Sequence, residues 1–136
     1  MAYPQKLVLT QRQREVLLHR LVVLSELDPE DLDDLFGNED REDPLDVHAL
    51  DRALMEFRQR FENSAGNQLV AITIETREQG EALAECLEGS TFFASRTKGD
   101  GVYVHAAHAV AELLSTVLER DVEPHIDSRG ANRSVR

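Results

Sequence analysis

The chain is poor in the residues that mark several common protein classes. Among its 136 residues there is one cysteine, Cys86, and no tryptophan. A single cysteine excludes an internal disulfide and a zinc site built from several thiolates. No run of 18 apolar residues is present, and the first residues lack the apolar core and cleavage site of a signal peptide. These absences predict a cytoplasmic protein that does not contact a membrane.

Basic residues are scarce in one part of the chain, and this explains its net charge. The chain has 26 acidic and 15 basic residues, for a formal net charge of −11. Residues 26–51 contain twelve of the acids and a single base, Arg41, so this segment carries the whole excess. A negative segment repels phosphate and attracts basic surfaces. We therefore predict a protein partner with a basic surface and disfavour nucleic acid.

Apolar residues, in contrast, are plentiful enough for a hydrophobic core. They make up 41% of the chain, whose length is typical of one domain. In the first half they recur at helical spacing, which predicts helices over residues 7–27, 29–36 and 46–63. Thr10 and Gln13 form a capping box in the sequence, and this pair is typical of a helix start.

The second half alternates between strand and helix patterns. Residues 69–74 are an apolar, β-rich run, and residues 91–95 and 102–105 are two further candidate strands separated by a glycine-containing turn. The turn predicts a hairpin. Helices are predicted from residue 76 to about residue 87 and over residues 106–119.

These elements predict an α+β fold in which N-terminal helices pack on a small β-α-β-β-α unit. The sheet would have three short strands, mainly antiparallel, and a homodimer would extend it by pairing an exposed edge. We predict one domain over residues 1–120, made of a helical, acidic half (1–66) and a β-α-β-β-α half (67–120). Residues 121–136 are predicted to be a flexible tail.

The acidic segment is the predicted functional surface. Acids interspersed with apolar residues are typical of surfaces that bind a basic, partly apolar partner. The sequence therefore predicts a small regulatory or adaptor protein without catalytic activity. The candidate partner-binding residues are Asp31, Leu32, Asp33, Asp34, Leu35, Phe36, Glu39 and Asp40.

A second hypothesis is a dimeric module that senses a small ligand or regulates transcription. Its ligand pocket would be lined by Phe92, Phe93, Tyr103 and His105. Contact with nucleic acid would use arginines outside the acidic segment, namely Arg12, Arg14 and Arg20 and the tail residues Arg129, Arg133 and Arg136.

One short run resembles part of a DNA-binding family. The residues from Leu9 to Leu17, Leu-Thr-Gln-Arg-Gln-Arg-Glu-Val-Leu, resemble the opening of helix-turn-helix domains of the response-regulator output type. The resemblance covers about nine residues. In that family a basic recognition helix follows, whereas here the chain continues into its acidic segment. No DNA contact is therefore transferred to this chain.

Residues with catalytic or metal-binding chemistry are present but lack the usual partners. Cys86 lies on the apolar side of a predicted helix near its C-terminal end, whereas a reactive thiol needs a cation or a helix N-terminus. His105 and His108 are three residues apart, but no third ligand accompanies them in sequence. Gly99-Asp-Gly101 fits a hairpin turn and not a phosphate-binding loop. We predict no catalytic residues, no metal site and no cofactor.

Overall fold

A computed structural model describes residues 3–89 and 101–125, with side chains from residue 104 onward in the second range. Over these ranges the chain has an α+β architecture with five α-helices and a two-stranded antiparallel sheet. The elements in chain order are β1 (Gln5–Thr10), α1 (Gln11–Leu24), α2 (Pro29–Leu35), a 3₁₀ turn (Asn38–Asp40), α3 (Val47–Asn63), β2 (Leu69–Ile74), α4 (Arg77–Glu88) and α5 (Gly101–Leu118).

The predicted capping residues of three helices are confirmed. Thr10 and Gln13 form a reciprocal capping box at the start of α1, and Thr76 and Gln79 form another at the start of α4. The Asp46 side chain accepts two backbone N–H groups at the start of α3. These bonds satisfy the first backbone N–H groups of each helix, which have no partner within it. The side chains that can accept such bonds therefore predict helix starts from sequence.

The first predicted helix is wrong at its N-terminal end, because residues 5–10 form a strand. Leu7 and Leu9 are buried, whereas Val8 and Thr10 between them are exposed, which is the period of two that a strand requires. β1 pairs antiparallel with β2, and Leu7 lies opposite Ile72. Burial of one face of this sheet against the helices therefore decides the structure of these residues.

The predicted hairpin and its third strand at residues 102–105 are also wrong. These residues lie in α5, which runs without interruption from Gly101 to Leu118. Ala107, Val110 and Leu114 recur at helical spacing and are fully buried, so helix packing overrides the β-propensity of the preceding valines and tyrosine. The predicted strand at residues 91–95 lies outside the described residues. In the described chain the partner of β2 is β1, so the sheet has two strands and not three.

The helices of both halves share one hydrophobic core. α1 contacts α3, α4 and α5, and its Leu17, Leu21 and Leu24 are fully buried. α4 and α5 approach closely at Gly80, where a Cβ atom would lie 2.6 Å from Leu118 Cδ2. A side chain at position 80 would therefore require the Leu118 side chain to shift.

The packed chain continues past the boundary predicted at residue 120. Val122 is buried, its backbone N–H donates to Ser115 Oγ (2.9 Å), and the His125 N–H donates to the Leu87 carbonyl (2.9 Å). Residues 126–136 of the predicted tail lie outside the described part. None of the helices among the described residues is long and apolar enough to cross a bilayer.

Candidate functional site

Helix α2 is fixed to the protein by two of the predicted partner-binding residues. Leu32 is fully buried, and Phe36, directly after α2, is 6% exposed. Both belong to the core, with α2 packed against α3. Leu32 and Phe36 therefore hold the segment in place and do not present side chains to a partner.

The other side of α2 is exposed and acidic. Asp34 and Leu35 are three and four residues after Asp31, so both are its neighbours on the helix surface, and all three are exposed. Glu39 and Asp40 follow in the exposed 3₁₀ turn. We call these five residues the acidic surface; its apolar member, Leu35, has 38% of its surface exposed.

The turn after α2 is held by one buried amide. Asn38 is 7% exposed, and its Nδ2 donates to Asp33 Oδ1 (2.8 Å) and to the Leu45 carbonyl (3.1 Å). Its Oδ1 accepts the Leu45 N–H (3.0 Å). Gly37 has a φ of 63°, a left-handed conformation that glycine adopts without strain. Asp33, another predicted contact residue, is thus half-buried and used within the segment, while its neighbours remain exposed.

Two acids of the segment are paired with arginines, whereas those of the acidic surface have no such partner in the described part of the chain. Asp43 pairs with Arg77 (2.8 Å), and Glu26 lies 3.6 Å from Arg58. Among the described residues, none of the four carboxylates of the acidic surface forms an ion pair. No ion pair within the described chain therefore offsets their combined negative potential, which attracts a basic partner.

The arginines predicted to contact nucleic acid do not form one surface. Arg14 is 7% exposed, and its Nη1 donates to the Phe61 carbonyl (2.9 Å), which ties α1 to the end of α3. Arg20 is half-buried, whereas Arg12 is exposed. The tail arginines, Arg129, Arg133 and Arg136, lie outside the described residues.

The residues of the predicted ligand pocket are mostly outside the described part of the chain. This holds for Phe92, for Phe93 and for the side chain of Tyr103, whereas His105 is exposed on α5. A cleft of about 750 Å³ does lie between α5 and residues 121–124, but it is lined by His108 and Glu112, not by His105. Within the described residues no three His, Cys, Asp or Glu side chains are grouped so as to hold a metal ion.

A second charged cluster, which the sequence analysis did not find, joins the end of α5 to α4. The Arg120 guanidinium donates to both oxygens of Glu81 (2.7 and 3.2 Å) and to both oxygens of Glu88 (3.0 Å each). Glu81 is 8% exposed, so this pairing compensates a buried charge. The two carboxylates lie along one side of α4. Their partner Arg120 is 39 residues from Glu81, and no local sequence pattern predicts this pairing.

Glu85 lies on the same side of α4 and has an altered affinity for protons. Burial raises the pKa of its carboxyl to about 7, and the neighbouring charges act in both directions: Glu88 and Glu81 raise it, Arg20 and Arg120 lower it. Burial also raises the pKa of the adjacent Cys86 thiol. Cys86 is a fully buried core residue, and the raised pKa disfavours the thiolate, which is the reactive form.

Glu85 predicts a pH-dependent stability. Its pKa is higher in the fold than its ordinary value of 4.5, so the fold favours the neutral acid and loses stability as pH rises from about 4.5 through 7. Glu85→Gln removes the charge, and we expect it to raise the free energy of unfolding at pH 8 by about 1–2 kcal/mol, after allowance for solvent screening at this partly exposed site. Urea unfolding at pH 4.5, 6 and 8 measures the difference.

Glu112→Gln is the control for this measurement, because Glu112 is exposed on α5. We expect the stability of that variant to follow the wild type at every pH. The gain of Glu85→Gln should shrink towards pH 4.5, where the wild-type carboxyl is already protonated. A gain that is equal at pH 4.5 and pH 8 would contradict the assignment.

Comparison of the chain with protein-family models, with curated proteins and with solved structures finds no match.

Proposed function

We propose that the protein is a small, non-enzymatic regulatory or adaptor protein that binds a partner with a basic surface. The observation that carries this proposal is the acidic surface, in which four carboxylates without an ion pair among the described residues accompany the exposed Leu35 on a segment anchored by buried residues. Charge attraction raises the rate of encounter, and an apolar contact in the centre adds affinity once the surfaces meet.

The way in which the segment is held supports recognition by a preformed surface. Leu32 and Phe36 fix α2, and Asn38 fixes the turn that presents Glu39 and Asp40. A partner would therefore meet carboxylates in a defined arrangement, without first having to order the segment. Preorganisation of this kind lowers the entropic cost of binding.

Reversal of charge on the acidic surface tests the proposal. We expect the double variant Asp31→Lys/Asp34→Lys to bind its basic partner about tenfold less tightly or worse, because attraction at two positions becomes repulsion. Both side chains are exposed, so the variant should retain the helical circular dichroism of the wild type. Asp33 is left unchanged because it bonds to Asn38.

The matched control is Glu112→Lys/Glu123→Lys, which changes the net charge equally at two exposed acids away from α2. Each protein is immobilised, and the proteins captured from the source organism are quantified by mass spectrometry at low and at moderate salt. We expect a basic protein to be captured by the wild type and the control, more weakly at moderate salt. Equal capture by the Asp31→Lys/Asp34→Lys variant would overturn the proposal.

A further inference from the structure

One edge of strand β2 faces away from its partner β1. The Ala71 carbonyl accepts a hydrogen bond from Arg60 Nη2 (2.8 Å), and the Thr10 N–H donates to Gln13 Oε1 (2.9 Å). An N–H has one hydrogen to donate, so the Thr10 N–H is not part of the β1–β2 ladder. Leu69, which lies opposite Thr10, and Ala71 are two residues apart in β2 and so belong to the same type of pair. Ala71 and Thr10 therefore belong to non-hydrogen-bonded pairs, which alternate with hydrogen-bonded pairs along an antiparallel sheet.

This alternation assigns the direction of every backbone group in β2. Ala71 lies opposite Val8 and Thr73 lies opposite Lys6, so the N–H and C=O groups of both Ala71 and Thr73 point away from β1. Outside the ladder, no described backbone group forms a hydrogen bond with either residue. The edge thus presents the N–H groups of Ala71 and Thr73 and the Thr73 carbonyl without a backbone partner among the described residues, whereas the Ala71 carbonyl is bonded to Arg60.

A groove lies along this edge, between β2 and α3. It has a volume of about 370 Å³, and the buried side chains of Phe57 and Ile72 contribute to its lining. Two exposed carboxylates, Glu56 and Glu75, also line it. The one base, Arg60, is held by its bond to the Ala71 carbonyl. Among the described residues the groove therefore combines an apolar floor, a strand edge without a backbone partner, two carboxylates and one guanidinium.

We propose that this groove binds an extended segment of a partner protein that carries lysine or arginine. The segment would add a strand to β2 through the backbone groups of Ala71 and Thr73, as in other peptide sites built on a sheet edge. The carboxylates of Glu56 and Glu75 select basic side chains. The Arg60 guanidinium donates to the Ala71 carbonyl in the position where the N–H of an added strand would donate, so an added strand would displace Arg60 from that carbonyl. This site is separate from the acidic surface on α2 and does not depend on it.

Nuclear magnetic resonance of the full chain tests the site, with acetyl-Lys-Val-Lys-Val-Lys-amide as the probe. In the free protein we expect the amides of Ala71 and Thr73 to exchange with solvent at least tenfold faster than those of Val70 and Ile72, which lie in the ladder. Saturating peptide should shift the two edge amides and slow their exchange at least tenfold. The acidic peptide acetyl-Glu-Val-Glu-Val-Glu-amide should do neither.

A pair of proline variants separates strand addition from simple charge attraction. Thr73→Pro removes an N–H from the groove edge, whereas Lys6→Pro removes one from the opposite edge of the sheet, at the paired position. We expect Thr73→Pro to bind the basic peptide at least tenfold more weakly than Lys6→Pro does. The double variant Glu56→Gln/Glu75→Gln leaves the backbone intact and should weaken binding of the basic peptide about fivefold. If Thr73→Pro does not fold, this variant tests whether the peptide binds in the groove.

Three results would overturn the proposal. The first is the absence of shifts at Ala71 and Thr73 at millimolar basic peptide. The second is a response confined to the acidic surface around Asp31 and Asp34. The third is slow exchange of the Ala71 and Thr73 amides in the free protein that disappears on dilution, because it would show that a second copy of the chain occupies the edge.

Discussion

Leu32→Ala is expected to lower the free energy of unfolding by about 2–4 kcal/mol, whereas Leu35→Ala, three residues away, should change it by less than about 0.5 kcal/mol. Leu32 is fully buried in the core, so its truncation removes buried apolar surface and leaves a cavity. Leu35 has 38% of its surface exposed. Urea unfolding followed by circular dichroism measures both values.

The same two variants also separate anchoring from recognition. We expect Leu35→Ala to weaken capture of the basic partner while the fold is unchanged, because Leu35 is the apolar member of the acidic surface. Leu32→Ala should weaken capture only to the extent that α2 detaches from α3. Equal stability losses in the two variants would show that the face of α2 assigned to the core is incorrect.

This distinction could not be predicted from sequence. Leu35 and Phe36 are three and four residues after Leu32, and either spacing fits one helical face with Leu32. The sequence therefore predicts an amphipathic helix but does not fix which of these residues lies at the centre of the buried stripe. That choice depends on how α2 packs against α3, which is a tertiary property.

The elements that the sequence does predict have local signals. α3 combines a capping aspartate, Asp46, with an apolar stripe through Leu50, Leu54 and Phe57, and β2 alternates Val70, Ile72 and Ile74 inward. Each of these signals lies within the element itself. The prediction of these elements is accordingly confirmed over nearly their whole length.

The elements that the sequence misses depend on distant residues. β1 carries only two inward apolar residues, Leu7 and Leu9, and these lie opposite Ile72 and Val70, which are far away in the chain. Next to the apolar start of α1, such a short alternation is also compatible with one more helical turn. At the other end, residues 102–104 have high β-propensity but continue into a helix whose buried face packs on α1 and α4.

Arg120→Ala is the second variant for which we expect a large effect, a loss of about 2–3 kcal/mol in the free energy of unfolding. Removal of one partner of a buried ion pair leaves an uncompensated charge, here that of Glu81. The expected loss is at the lower end for such sites because the side chains of Arg120 and Glu88 are 37% and 31% exposed. Chemical denaturation at pH 8 measures it.

A double-mutant cycle shows whether the loss comes from unpaired charge. Glu81→Gln in the Arg120→Ala background removes the buried charge, so the double variant should regain more than half of the lost stability. Additive losses would instead indicate that Arg120 acts through the packing of its side-chain stem.

Arg120→Lys tests the geometry of the same contact. A guanidinium donates to two carboxylates at once in a fixed plane, whereas an ammonium is a single point charge. Four hydrogen bonds join Arg120 to Glu81 and Glu88, and lysine cannot reproduce both two-pronged contacts. We therefore expect Arg120→Lys to be intermediate between the wild type and Arg120→Ala. A lysine variant as stable as the wild type would show that charge alone, and not the paired geometry, joins the end of α5 to α4.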